Sequence, residues 1–191
     1  MLGRLLRNVR AGKAKMSFSH RVAALVPKTI QITSSAFAPG GEIPARFTQS
    51  GENLSPSLQW AHAPSGTRSV VIVVEDPDAP LPIPFVHAIA YNLPAEGVLA
   101  EGAIPNRTAT ESQTHSGQIQ IGKSTFGKAL YRGPGPIPDH GPHDYCFQVF
   151  ALDCTLTFPS PPRRREILTA IESHLLAKGL LVGTYERRSR R

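Results

Sequence analysis

Residues 69–80 read Ser-Val-Val-Ile-Val-Val-Glu-Asp-Pro-Asp-Ala-Pro, and this stretch decides the fold class. Val70, Val71, Ile72, Val73 and Val74 are β-branched or apolar without interruption, so they predict a strand buried on both faces. The run then meets Glu75, Asp76, Pro77 and Pro80 and leaves the core abruptly. Proline fixes φ and restricts the residue before it, which keeps Asp76 and Ala79 out of helix. Outward from this strand, residues 87–93 and 145–152 predict two more of the same kind. Residues 28–34 alternate, with Ile30 and Ile32 on one face, and Pro39-Gly40-Gly41 is a turn. Eighteen prolines and sixteen glycines in 191 residues punctuate short runs of this type. The fold class is mainly β, a sandwich or barrel in one domain.

The two ends of the chain have a different character. The formal net charge is +7, but residues 42–162 hold six basic and eleven acidic residues. The positive charge lies in residues 1–41, with seven basic residues and no acid, and in residues 163–191, with eight basic and three acidic. An acidic body lacks the basic face that a nucleic acid needs, so no nucleic-acid partner is expected. Residues 1–28 form a basic N-terminal extension in which Leu2, Leu5, Leu6 and Val9 recur at helical spacing. This predicts a short amphipathic helix that makes weak contact with an anionic membrane, docks on a partner or packs on its own body. Near the other end, Ser160 and Pro161 predict a helix start, and Ile167, Leu168, Ile171, Leu175 and Leu176 an apolar stripe that stops at Gly179. Residues 180–186 then predict a last strand, and residues 187–191 a basic tail. Arg163, Arg164 and Arg165 crowd the helix start, where the dipole disfavours cations.

Three segments carry candidate chemistry. Asp76 and Asp78 are rigid carboxylates at a strand end, framed by Pro77 and Pro80. His87 opens the next strand in Phe85-Val86-His87. Residues 131–145 hold four prolines and three glycines, including Gly133, Gly135 and Pro136, before His143 and Tyr145. Two apart on an extended chain, His143 and Tyr145 face the same side. Such a loop suits a small polar ligand, with backbone N–H groups open to an anion. His140 and His143 have zinc-like spacing, but no third histidine or cysteine stands nearby, so no metal is assigned. Cys146 and Cys154 lie eight apart with strand-like sequence between them; on one strand they would be beyond disulfide reach, and they read as free thiols in a reducing compartment.

Together these segments, with Gly51-Glu52-Asn53-Leu54-Ser55-Pro56-Ser57-Leu58-Gln59-Trp60, resemble the phosphatidylethanolamine-binding protein family, also called the Raf kinase inhibitor protein family. The resemblance spans residues 29–186, in the family's order, and looks most like its bacterial branch. It implies an antiparallel β-sandwich with a Greek-key core and a few peripheral helices. It also implies a surface cavity for small anions, including phosphate, carboxylate and phospholipid head groups. By motif, Asp76, Asp78, Phe85, His87, Gly133, Gly135, His143 and Tyr145 would bind the ligand, with Pro77, Pro80 and Pro136 as its rim. His87 and His143 would donate to the anion, alongside the N–H groups of Gly133 and Gly135. Phe85 stands where many eukaryotic members have Trp. Asp144 replaces a residue that is often basic, and adds negative charge beside the site.

The reading is a non-catalytic binding protein for a small anionic or phosphorylated ligand, with regulation of a protein partner as an extension. The alternative is an acid–base hydrolase of a small ester or phosphoester, since Asp, His and Tyr are the parts of proton transfer. No Gly-x-Ser-x-Gly elbow, P-loop or His-Glu-x-x-His occurs, and no cofactor is expected. No apolar run reaches membrane-span length and no signal peptide is evident, so the expected address is cytoplasmic. Exposed sheet edges make a homodimer the expected assembly.

Overall fold

The computed structural model describes residues 2–107 and 119–189. Met1 and, from the expected basic tail, Arg190 and Arg191 lie outside the described residues. Among the described residues, eight strands form two antiparallel sheets. The smaller sheet has the order β1 (Gln31–Thr33), β2 (Leu58–Ala61), β5 (Gly97–Leu99). The larger has the order β6 (Gln120–Gly122), β4 (Phe85–Leu93), β3 (Ser69–Asp76), β7 (His143–Leu152), β8 (Leu175–Tyr185). The valine strand β3 is central, and each of its residues is buried.

Two cores explain that burial. Val70, Ile72 and Val74 face the smaller sheet and pack with Trp60, Phe147 and Val149. Val71 and Val73 face the other way, onto Phe150, Ile167 and Ile171. The second core is covered by the helix α2 (Arg164–Ala170). This helix is shorter than the stripe predicts. It starts with Arg163 as N-cap rather than Ser160, and the Glu166 carboxylate accepts the Arg163 N–H at 2.6 Å. Leu175, Leu176 and Gly179 belong to β8, not to the helix. Gly179 is a packing residue there, since a Cβ would stand 2.4 Å from the Ile30 carbonyl oxygen.

Period-two alternation sends the adjacent carboxylates Glu75 and Asp76 to opposite faces. Asp76 joins the inner face, at the mouth of the sandwich. Glu75, fully buried on the outer face, meets Arg164, whose Nε lies 2.5 Å from Oε1. Its other oxygen accepts the Ser17 N–H and the Gln148 side-chain amide, each at 2.7 Å. Arg164 is thus the counterion of a buried carboxylate, which gives one of the three clustered arginines a structural reason. Nothing in the structure explains Arg165.

The N-terminal extension lies on the body. The Phe18 N–H donates to Gln148 at 2.6 Å, and the Lys178 ammonium donates to the carbonyls of Phe18 and Ala23 at 3.2 and 2.5 Å. Glu75, Gln148 and Lys178 are buried polar side chains on the outer face of the large sheet. Residues 15–23 supply a hydrogen-bond partner to each of the three. The predicted helix is α1 (Leu2–Leu6), and its packed face differs from the expected one. Gly3 is the buried residue, seated on the backbone of Pro138 and His140, while Leu2 and Leu5 are 59% and 79% exposed.

Removing one member of a buried ion pair strands the other, at a cost of about 3–5 kcal/mol. Arg164→Leu is therefore expected to lower the urea unfolding free energy by about that amount, and Arg165→Ala to change it by less than about 0.5 kcal/mol.

Candidate functional site

A cavity of about 220 Å³ opens where β3 ends and β4 and β7 begin. The register explains its composition. Asp76 pairs with Phe85 across β3 and β4, and Glu75 with Cys146 across β3 and β7, so the two strand starts flank Asp76. A register shift after Val74, whose partner is Ala88, leaves Glu75 opposite Val86 and makes His87 the extra residue of a β-bulge. A bulge re-aims a side chain, and here it turns the His87 ring inward with Ala88. Of the sequence-predicted residues, Asp76, Phe85, His87, Gly135, His143 and Tyr145 line the cavity, with Pro80 and Pro136 at its rim.

Asp78, Gly133 and Pro77 do not line it. Asp78 is turned away, paired with Arg10 at 2.6 Å and accepting the Asp144 N–H at 2.7 Å. The Gly133 N–H is spent on the Asn53 side chain at 2.8 Å and is closed to an anion. Gly133 is needed for close approach of two backbones, since a Cβ would stand 2.3 Å from the Phe47 carbonyl oxygen. The Pro77 carbonyl accepts the Gly12 N–H at 2.8 Å. Asp144, expected to add negative charge at the site, is paired with Lys13 at 2.7 Å. That carboxylate, by hydrogen bond and charge, raises the Lys13 pKa. Gln49, Leu81, Phe126, Arg132 and Ile137 line the cavity without having been singled out. Arg132, whose guanidinium lies over the Phe126 ring at 4.7 Å, is the most consequential. It sits beside Gly133 in the proline-rich loop, but nothing in the sequence says which side chains of that loop turn inward.

The hydrogen bonds assign the polar groups. Asp76 Oδ1 accepts the N–H groups of Asp78 and Ala79 at 2.7 and 3.0 Å, closing the turn after β3. Asp76 Oδ2 contacts His143 Nδ1 at 2.7 Å, His143 Nε2 contacts His140 Nδ1 at 2.7 Å, and His140 Nε2 contacts the Leu6 carbonyl at 2.7 Å. The three contacts run in a row from the Asp76 carboxyl to a carbonyl that only accepts, so His140 donates from Nε2. Both His143 nitrogens are committed, so His143 does not donate to a ligand as expected. His140 and His143 bind each other rather than a metal.

His87 also departs from its expected role. Its Nδ1–H donates to the Arg132 carbonyl. Burial lowers the His87 pKa, so the ring is neutral and its Nε2 offers a lone pair. Nε2 and the Tyr145 hydroxyl are buried and have no partner among the described residues. Burial, then the Asp76 charge, pushes the Tyr145 phenol far up, so it stays an O–H donor. An orphaned buried polar atom costs about 1–3 kcal/mol, and here two of them line one cavity. Elsewhere, Asp153, Cys154 and His174 bring ligand-type atoms within 4.8 Å of one another at the β7–β8 connection, where the His174 and Asp153 side chains already pair at 2.7 Å.

The sequence profile of the phosphatidylethanolamine-binding protein family matches residues 33–186. The chain belongs to that family. A UPF0098 protein of Pyrococcus horikoshii is 39% identical over 155 residues, covering 81% of this chain and 76% of that protein. A phosphatidylethanolamine-binding protein homologue of Chlamydia trachomatis has the same fold, with a TM-score of 0.72, 33% identity, and coverage of 84% of this chain and 99% of that one. YbcL of E. coli, described as a member of the mammalian family, aligns with a TM-score of 0.73 and 27% identity over 83% of this chain and 98% of its own. Residues 1–32 lie outside the family match. The partners of Glu75, Asp78, Asp144 and His140 supplied by Ser17, Arg10, Lys13 and Leu6 are therefore additions to the phosphatidylethanolamine-binding protein domain.

Burial lowers the pKa of both His87 and His140, with the neighbouring His143 a further cause at His140. Unfolded histidines titrate near about 6.5. Below that value the unfolded chain takes up protons that the folded chain resists, so stability is complete at neutral pH and falls on acidification. Thermal unfolding is expected to show a Tm that declines as pH drops from about 7 to about 5, and His140→Gln to flatten the decline.

Proposed function

We propose that this member of the phosphatidylethanolamine-binding protein family binds a small oxyanion, free or as a head group, without turning it over. One observation carries this reading: two orphaned polar atoms, His87 Nε2 and the Tyr145 hydroxyl, are buried at a cavity that Arg132 also lines. A ligand oxygen satisfies the phenol and a cation holds the charge. Apolar Phe85, Leu81, Phe126 and Ile137 line much of the cavity, and a less polar surround strengthens both contacts. Hydrolysis fits less well, because the Asp76 carboxylate and both nitrogens of His143 are already engaged with partners inside the protein. Two free cysteines accord with a reducing, cytoplasmic setting. Among the described residues, no helix is long and apolar enough to cross a membrane.

Calorimetry with inorganic phosphate and phosphoethanolamine tests the reading. Saturable binding is expected, weakened about 10- to 100-fold in Arg132→Gln and in Tyr145→Phe, as for loss of one hydrogen bond to a charged group. Absence of binding, or binding that both variants retain, would overturn it.

A second reading concerns the termini. Gly3 seats α1 on Pro138 and His140, and the Asp139 N–H donates to the Arg187 carbonyl at 2.9 Å, so both basic ends meet on one loop. Leu2 and Leu5 face outward there, beside exposed Arg4 and Arg7. This surface suits weak contact with an anionic bilayer. Co-sedimentation with phosphatidylglycerol vesicles is expected at low salt, lost at high salt and in Leu5→Glu. Equal pelleting by Leu5→Glu would refute it.

A further inference from the structure

We propose that Asp153, Cys154 and His174 bind a thiophilic divalent cation, of which zinc fits best. The site lies at the β7–β8 connection, at the other end of β3 from the cavity, and does not depend on the anion reading.

Three strand ends assemble it. Leu152 ends β7 and pairs with Leu175, the first residue of β8. The Asp153 N–H then donates to the His174 carbonyl at 3.1 Å. The Cys154 carbonyl accepts the hydroxyl of Ser69, the first residue of β3. On a straight strand, Asp153 and Cys154 would point to opposite faces. The chain bends there instead, and one donor atom from each of the three side chains lies within 4.8 Å of the other two. Among the described residues, no other three His, Cys, Asp or Glu side chains meet in this way.

The donor set selects the metal. Thiolate and imidazole suit zinc, whereas magnesium and calcium take mostly oxygen ligands. Around tetrahedral zinc, with bonds of about 2.0–2.3 Å, donor atoms stand about 3.3–3.6 Å apart. His174 Nδ1 and Asp153 Oδ1 are 2.7 Å apart, so they need only spread slightly. Their side chains are 43% and 48% exposed and have room to turn. Three protein ligands leave the fourth position to water.

The charges also fit. Burial, then the Asp153 carboxylate, raises the Cys154 pKa, and the nearby cation Arg68 offsets them only in part. The resting thiol is therefore protonated, which disfavours a nucleophilic Cys–His–Asp triad. A divalent cation reverses the relation between thiol and carboxylate. A sulfur–metal bond replaces the S–H bond, the proton passes to water, and thiolate plus carboxylate balance the two charges of the metal.

Untagged full-length protein, stripped with EDTA, is titrated with Co2+ as a spectroscopic substitute for zinc. One equivalent is expected to bind with a thiolate-to-cobalt charge-transfer band, and zinc to abolish the band by displacement. Loss of an outer-shell partner costs about 10–100-fold in metal affinity, and loss of a ligand no less. Cys154→Ser is therefore expected to lose the band, and His174→Gln to weaken zinc binding at least about tenfold. Alkylation supplies a second measurement that needs no variant. Zinc is expected to block modification of Cys154 by iodoacetamide, read by peptide mass spectrometry. No band in the wild type, a band that survives in Cys154→Ser, unchanged zinc affinity in His174→Gln, or alkylation of Cys154 undiminished by zinc would overturn the proposal.

Discussion

Two neighbouring carboxylates at the end of the central strand hold this structure and its cavity together. Backbone alternation sends Glu75 and Asp76 to opposite faces of one sheet, and each is buried where an unpaired charge would be untenable. Asp76 is satisfied by two turn amides and His143. Glu75 is paired with the Arg164 charge and hydrogen-bonded to Gln148 and the Ser17 amide. The first set of partners builds the floor of a binding site. The second ties a helix and an N-terminal segment to the back of the same strand. Both sets of partners therefore meet the same end of β3.

The N-terminal extension fulfils the second requirement in detail. Residues outside the family match supply an amide to Glu75, an amide to Gln148 and two carbonyls to Lys178. They also supply Arg10 and Lys13, which pair with Asp78 and Asp144. Three of its seven basic residues, Arg10, Lys13 and Arg21, pair with acidic groups of the same domain. The basic end and the acidic body of the sequence are complementary parts of one molecule.

The cavity divides its polar residues into those already engaged and those still open. Asp76, His143 and His140 form a hydrogen-bonded chain that runs out to the Leu6 carbonyl and engages both His143 nitrogens. His87 Nε2, the Tyr145 hydroxyl and Arg132 remain open. His87 owes its position to a β-bulge, and its neutrality to burial. These three open groups share the wall with Gln49 and with apolar Leu81, Phe85, Phe126 and Ile137.

Much of this was legible in residue order. The unbroken Val70–Val74 run predicts a strand covered on both faces, and β3 is one. The motif spacing brings Asp76, Phe85, His87, Gly135, His143 and Tyr145 to one cavity. Local pattern was a poorer guide where two elements compete for the same residues. The apolar stripe at Leu175 and Leu176 suits a helix, but both lie in β8, where Leu175 pairs with Leu152 of β7. Likewise Leu2 and Leu5 carry the hydrophobic stripe of α1, yet Gly3 makes the contact, since only a residue without a side chain fits against the Pro138–His140 backbone. The sequence by itself determined the strand chemistry, the family and the set of residues near the site, because these depend on composition and spacing along the chain. Only the tertiary structure decided which of those residues are free, that Asp78 and Gly133 are taken, that Arg132 turns inward and that His87 accepts rather than donates. Hydrogen-bond capacity is used up by partners distant in sequence, and nothing local records which partner arrives.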